Sequence, residues 1–235
     1  MKMEKAVVLC SGGLNSAVVT SIARQEHDIA LLHVRWGDRA EAKETDLYER
    51  LADALGVGER MCVDLPHLAV IGGNARVNKR RQIEDALALG DGPTNCYVPG
   101  LISGLLSAGF SYASNIGATR VYIGVSENLG PPAPQTSRLY PDYSREYLLL
   151  FNHLFSAATP DKPISLETPV ADLNRADIVR LGNRLKTPFE LTWSCLVGTN
   201  EPCGRCIGCA TRNRGFLDAA VPDPLLRRPA MAGQG

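Results

Sequence analysis

The stretch VVLCSGGLNSAVVTSIA, beginning at Val7, restricts this chain more than any other. A short apolar run, Lys5–Cys10, enters a glycine turn and leaves as a helical pattern. Runs this short and this rich in Val and Leu suit buried parallel strands. Gly12 and Gly13 lack a Cβ, so the backbone can turn tightly and approach a ligand closely. Ser11 and Ser16 add hydroxyls, and a helix starting near Ser16 aims its free N–H groups at the turn. Two readings follow: an anion site, or a tight turn capped by Asn15 or Ser16. No lysine follows the glycines, so this is not a GxxxxGK[ST] loop, nor does it read GxGxxG. Its place after the first strand of an alternating chain favours the anion site.

Three more strand-like runs follow at Ile29–Val34, Met61–Asp64 and Arg120–Val125. Helical patterns separate them. In RAEAKETDLYERLADALG, Leu47, Leu51, Ala54 and Leu55 fall at helical spacing and Gly56 suits a C-cap. The run from Gly100 to Asn115 is apolar on all sides, which predicts a buried helix. Alternation of this kind predicts an α/β fold, a doubly wound parallel sheet with ligands beyond the carboxyl ends of its strands. The irregular segments Pro66–Asn95 and Ser126–Asp142 are expected to be lids, binding loops or disordered stretches. The expected division is a nucleotide-binding α/β domain over 1–190, a cysteine segment packed on it over 191–220, and a flexible tail over 221–235.

Lys plus Arg equals Asp plus Glu, at 25 each, which argues against nucleic acid or an anionic membrane as a partner. The longest uncharged run, Cys96–Thr119, is broken by Pro99 and four glycines and does not read as a membrane span. The start, MKMEKAVVLC, lacks a signal-peptide cleavage site, so a cytoplasmic location is expected. Of seven cysteines, four crowd into SCLVGTNEPCGRCIGC as Cys195, Cys203, Cys206 and Cys209. Without a secretory signal, such spacing reads as metal before disulfide. Four thiolates suit a closed structural zinc site. The rival is an iron–sulfur cluster, whose usual C-x₃-C-P continuation is missing.

SGGLNS resembles the SGGxDS pyrophosphate loop of the PP-loop ATP pyrophosphatases, of the adenine nucleotide alpha hydrolase type, with Asn15 at the aspartate position. The segment PFELTWSC…CGRCIGCATRNRGF resembles the zinc segment of the 7-cyano-7-deazaguanine synthase (QueC-like) family. TPVADLNRADIVRLG, NCYVPG and IGVSE…YPDYSREY resemble further stretches of that family in the same order.

The resemblance implies ATP-dependent adenylation of a 7-carboxy-7-deazaguanine-like carboxylate, followed by attack of ammonia or an amine, with ATP, Mg²⁺ and structural zinc. It also implies a homodimer. QueC-like relatives in bacterial antiphage systems join the carboxylate to an amine, including a protein N-terminus, which makes a protein partner a further implication. By position, Ser11, Gly12, Gly13, Asn15 and Ser16 would hold phosphates, with His33 and Val34 beside adenine. Glu127, Tyr140, Asp142 and Trp193 would bind the deazaguanine, and Arg175 would supply a cation where the family has lysine. Taken alone, Glu127 and Asp142 are loop acids, Arg175 a surface charge, and Trp193 as much core as stacking platform.

The departures from the family gather at the expected site. Asn15 replaces aspartate, Leu101-Ile102 replaces Arg-Asn, Tyr143 replaces cysteine, and the loop between Glu127 and Tyr140 is longer and proline-rich. Such grouping implies a changed substrate, nucleophile or end point. It also opens a second reading, a nucleotide- or deazaguanine-binding module weakened in catalysis by Asn15. A tRNA-modifying PP-loop enzyme would need a basic surface and a reactive cysteine, and neither is evident.

Overall fold

The computed structural model describes residues 3–133, 136–159 and 161–226. Five strands form one parallel sheet: β1 Lys5–Leu9, β2 Asp28–Arg35, β3 Arg60–Asp64, β4 Arg120–Tyr122 and β5 Ser165–Glu167. Their spatial order is β3-β2-β1-β4-β5. Val7 is in register with Ala30 on one side and Val121 on the other. Alternate residues of β1 serve opposite faces: Ala6 and Val8 join one core, Val7 and Leu9 the other. A strand buried on both faces needs an unbroken apolar run, which is what the sequence supplies.

The helices are α1 Leu14–Ala23, α2 Glu41–Leu55, α3 His67–Ile71, α4 Leu101–Ile116, α5 Thr136–Leu139, α6 Arg145–Ala158, α7 Arg175–Arg184 and α8 Ile207–Ala219. α1, α2, α7 and α8 pack over one face through Val18, Leu51, Ile178 and Phe216. α4 and α6 cover the other through Leu106, Phe110, Leu148 and Phe155. The doubly wound sheet is thus as the alternation predicts.

Several details differ from expectation. α4 is not buried all round: Ser107, Ser111, Ser114 and Asn115 are exposed, and its apolar stripe alone meets the sheet. These small polar residues recur at helical spacing, so they mark a solvent face rather than gaps in a buried one. β4 stops at Tyr122, short of Val125. β5 has only three half-buried residues and too little pattern to announce itself. The chain turns through a short 3₁₀ segment at Pro141–Tyr143, which no sequence pattern announced, and α6 begins at Arg145, its N-cap Ser144 accepting from the Tyr147 N–H. Among the described residues no helix is long and apolar enough to cross a membrane.

The fold continues past residue 220. Arg212 on α8 donates to both carboxylate oxygens of Asp223, at 2.7 and 2.9 Å, and to the Phe189 and Thr192 carbonyls. Both side chains are almost fully buried. Residues 221–226 are therefore pinned to the domain rather than frayed as expected, while the rest of the expected tail, 227–235, lies outside the described residues. Removing one member of such a pair strands the other without water. Arg212→Ala is expected to cost about 3–5 kcal/mol in urea unfolding, whereas a cost near that of an exposed pair would show that Asp223 swings into solvent.

Candidate active site

The strand order reverses beside β1, where β2 leads one way and β4 the other. Ligands of doubly wound sheets bind in the crevice at that point. A cavity of about 240 Å³ opens there, lined by the ends of β1, β2 and β4, the phosphate turn, and residues from α2, α4 and α8.

The turn is built for an anion. α1 has no side-chain cap: its N-cap is Gly13, and its first intrahelical N–H bond runs from Ala17 to the Gly13 carbonyl, at 3.1 Å. Among the described residues the N–H groups of Leu14, Asn15 and Ser16 have no backbone partner. This removes the reading of the turn as one capped by Asn15 or Ser16. The Ser16 hydroxyl instead takes the Ser11 N–H at 3.2 Å and donates to the Gly13 carbonyl at 3.0 Å, holding the loop shut. Gly12 has φ +74°, and a Cβ there would lie 2.6 Å from the Glu44 carbonyl oxygen. Gly12 is thus needed for the approach of α2, and Gly13, not Gly12, lines the cavity. Gly124 has a similar duty: a Cβ would come within 2.8 Å of the Ser16 nitrogen. This approach is where the β4 chain leaves the ladder.

Asn15 does something no carboxylate could do. Its amide nitrogen donates to the Gly124 carbonyl at 3.0 Å, while its oxygen accepts from Arg175. One neutral side chain therefore ties the turn to both the β4 exit and the start of α7. Arg175 lines the cavity with its Nε buried and without a protein partner. Burial and the charge of Arg212 pull its guanidinium down to about 10, so it stays cationic at neutral pH. Because its partner is an amide, that charge is not neutralised.

Of the residues expected beside adenine, Val34 lines the cavity and His33 does not. His33 Nδ1 donates to the Cys10 carbonyl at 2.9 Å, Nε2 meets the Thr45 hydroxyl at 3.1 Å, and the ring stacks on Tyr48. Burial lowers its pKa, so it is a neutral core histidine. Alternation along β2 is the cause: neighbouring residues point to opposite faces.

Tyr140 and Tyr143 line the cavity and stack on each other at 4.9 Å. Asp142 between them is 3% exposed, and among the described residues neither carboxylate oxygen has a hydrogen-bond partner. Burial pushes its pKa up to about 6, against the weaker pull of the Asp142 and Ile102 N–H groups, which face the carboxylate without reaching hydrogen-bond geometry. It does not line the cavity, but Ile102 does. Glu127 is half-buried, is not brought to the cavity, and is tied by its N–H to the Ala171 carbonyl at 2.8 Å.

Trp193 is 4% exposed and lines the cavity, so it is core as well as wall. Its N–H donates to the Gly12 carbonyl at 2.9 Å and its indole N–H to the Cys195 carbonyl at 2.9 Å. It joins the phosphate turn to the cysteine segment. There the ligand atoms of Cys195, Cys203, Cys206 and Cys209 lie within 4.8 Å of one another. N–H groups of Leu196, Cys203 and Cys206 point at the sulfurs of Cys206, Cys195 and Cys203, at 3.4 to 3.5 Å. Sulfurs at that spacing, receiving N–H donors, fit one tetrahedral metal ion, since Zn–S bonds of about 2.3 Å put sulfurs a little under 4 Å apart.

Sequence reasoning missed two lining residues. Arg76 comes from the irregular segment after α3, pairs with Asp38 and lies 4.6 Å over the Trp36 ring. Glu44 comes from the first turn of α2. The length of the Pro66–Asn95 segment hinted at Arg76. Nothing set Glu44 apart from the other acids of an amphipathic helix.

Fold and site together define a doubly wound α/β protein with a cavity at its switch point and a four-cysteine cluster that could hold a metal ion. Residues 5–220 match the family model described as "Queuosine biosynthesis protein QueC". A 7-cyano-7-deazaguanine synthase of Chlorobium phaeobacteroides is 37% identical over 223 residues, 94% of this chain and 96% of that protein. One of Methanothrix thermoacetophila is 37% identical over 230 residues, 94% of this chain and 98% of that protein. A solved NMN synthetase from Francisella tularensis shares 12% identity over 100% of this chain and 90% of its own, with a TM-score of 0.44. The chain belongs to the QueC family.

Proposed function

We propose that this chain uses ATP to adenylate a 7-carboxy-7-deazaguanine-like carboxylate, after which ammonia or an amine displaces AMP. The observation that carries this reading is the convergence of the free α1 N–H groups and the Arg175 guanidinium on one cavity at the sheet's switch point. A carboxylate is a poor electrophile, and transfer of AMP gives its oxygen a leaving group. Preorganised N–H groups and Arg175 stabilise the charge that develops on phosphate. Ser11, Gly13, Asn15 and Ser16 hold the phosphates, and Leu32 and Val34 offer adenine an apolar wall. Mg²⁺ is expected to arrive with ATP, coordinated largely by phosphate and water. Asp142 stands behind the Tyr140 and Tyr143 wall rather than on it, and its role is to accept from the N1 and 2-amino donors of a guanine-like base that reaches past those rings. Its unpartnered, buried carboxyl supports this role.

The four cysteines hold zinc, and a closed four-thiolate site supplies folding energy rather than chemistry. The changes around the site support a protein amine, as in antiphage relatives, beside ammonia as nucleophile. Leu149, Leu150 and Leu154 on α6 are each more than half exposed, which supports a homodimer.

Incubation with ATP, Mg²⁺, the carboxylate and either ammonium or a peptide amine is expected to release pyrophosphate only when the carboxylate is present. Mass spectrometry of the product then identifies the nucleophile. The second reading, a weakened binding module, is favoured by the amide at Asn15, which brings no negative charge to a magnesium ion. The two separate on Asn15→Asp. Carboxylate-dependent pyrophosphate release from either protein supports the enzyme, while ligand binding without release from both supports the module.

A further inference from the structure

We infer that Glu44 is the catalytic base of the amine-transfer step, the group that takes the proton from the attacking nitrogen. The inference rests on the adenylation reading above and assigns the half-reaction that follows it.

Position comes first. Glu44 sits in the first turn of α2 and lines the same cavity as Ser11, Asn15 and Arg175. Its backbone is pressed against the glycine turn, since a Cβ added at Gly12 would lie only 2.6 Å from the Glu44 carbonyl oxygen. The neighbouring acids are committed. Asp38 is paired with Arg76 and its side chain is 1% exposed. Glu41 accepts from the Gly37 N–H at 2.6 Å. Among the described residues the Glu44 carboxyl carries no hydrogen bond or ion pair, although it borders the cavity.

The remaining lining groups do not suit proton transfer near neutral pH. Burial pushes the Cys10 thiol and the Tyr140 and Tyr143 phenols above their ordinary values. Arg76 and Arg175 stay charged, and His33 faces the core. Glu44 is pushed up to about 8, first by burial and then by Asp38 and Glu41, against the pull of Arg76. A base poised near the working pH is the efficient one.

The step balances. The amine lone pair attacks the carbonyl carbon of the acyl adenylate and a C–N bond forms. The bond from that carbon to the AMP oxygen breaks, and AMP leaves with the electron pair. The surplus proton on nitrogen passes to a Glu44 oxygen and then to water.

The test separates the two half-reactions. Carboxylate-dependent exchange of labelled pyrophosphate into ATP reads adenylation and needs no amine. Amide formation with ammonium chloride, or with a short peptide if the parent prefers it, reads transfer. For Glu44→Gln, exchange is expected to stay within about twofold of the parent, while amide formation falls about 100-fold or more, the usual scale for a lost general base. Glu44→Asp is expected to recover part of that loss, and it carries the comparison if thermal melting shows that E44Q does not fold. Equal losses in exchange and transfer would overturn the inference and make Glu44 a ligand of ATP or its magnesium. Unchanged transfer would also overturn it. Absence of exchange in the parent overturns the adenylation reading itself, and this inference with it.

Discussion

On the reading that Cys195, Cys203, Cys206 and Cys209 hold zinc, stripping the metal is expected to loosen the glycine turn as well as the cysteine segment. The four sulfurs share a small apolar core with Trp193, Ala40, Leu47, Ala75 and Cys96. Trp193 connects that core to the turn through its bonds to the Gly12 and Cys195 carbonyls. Apparent binding energies at structural zinc sites are about 10–16 kcal/mol, and they count as folding energy. Here the surrounding sheet persists, so part of that, several kcal/mol, is expected to be lost. At about 2–4 °C per kcal/mol for a chain of this size, the melting temperature should fall by about 10–20 °C. Calorimetry with and without a chelator, with metal content measured alongside, gives the answer. Indole fluorescence should shift as Trp193 becomes wet, and ATP affinity should drop in step. A chain that gives up its metal with an unchanged melting temperature would show that packing alone holds the four thiols.

Asp142→Asn is expected to move stability and activity in opposite directions. The carboxyl is buried with neither oxygen partnered, and its pKa stands at about 6 against an ordinary 3.8. A folded-state pKa above the unfolded one means that the native protein binds the proton more tightly between those values. Stability is therefore full below about pH 4, declines as pH rises through 6, and stays lower above it. Two units correspond to about 3 kcal/mol as an upper figure. Asparagine removes the charge and should raise stability at pH 7.5 by about 1–3 kcal/mol, flattening the profile between pH 4 and 7. On the proposed reading it also turns a donor toward a base edge that itself donates. Losing two hydrogen bonds to a charged acceptor should weaken deazaguanine binding by about 100-fold or more, with ATP binding unchanged. Urea unfolding across pH and calorimetric titration of both ligands read the two effects. A variant less stable than the parent at pH 7.5 would show that the carboxylate is satisfied in the folded chain, and Asp142 would lose its claim on the base.

Much of the architecture was legible before folding. The unbroken apolar run of β1 reported burial on both faces, and the glycine turn after it reported where the crevice lies. The cysteine spacing brought four sulfurs together as expected, because ligands so near in sequence need little help to meet. The failures have physical causes. β5 and the 3₁₀ segment at Pro141–Tyr143 are three residues each, too short for a periodicity to show. His33 and Val34 are adjacent, and a sequence does not say which face of the sheet will hold the ligand. The fixing of Asp223 by Arg212 is a contact between a helix and a proline-rich stretch that local pattern reads as loose.

Asn15 marks the boundary between the two kinds of information. The sequence determined that a neutral amide stands in a glycine turn, and that the turn follows the first strand of a parallel sheet. Only the tertiary structure decided what the amide does: it donates to Gly124 and accepts from Arg175, 160 residues away in the chain. Glu44, Arg76 and Trp193 reach the same cavity from equally separate elements. Strand, turn and metal knuckle are written in local spacing, because short-range sterics and periodicity fix them. Charge state, burial and hydrogen-bond partners depend on which distant segments the sheet order brings together.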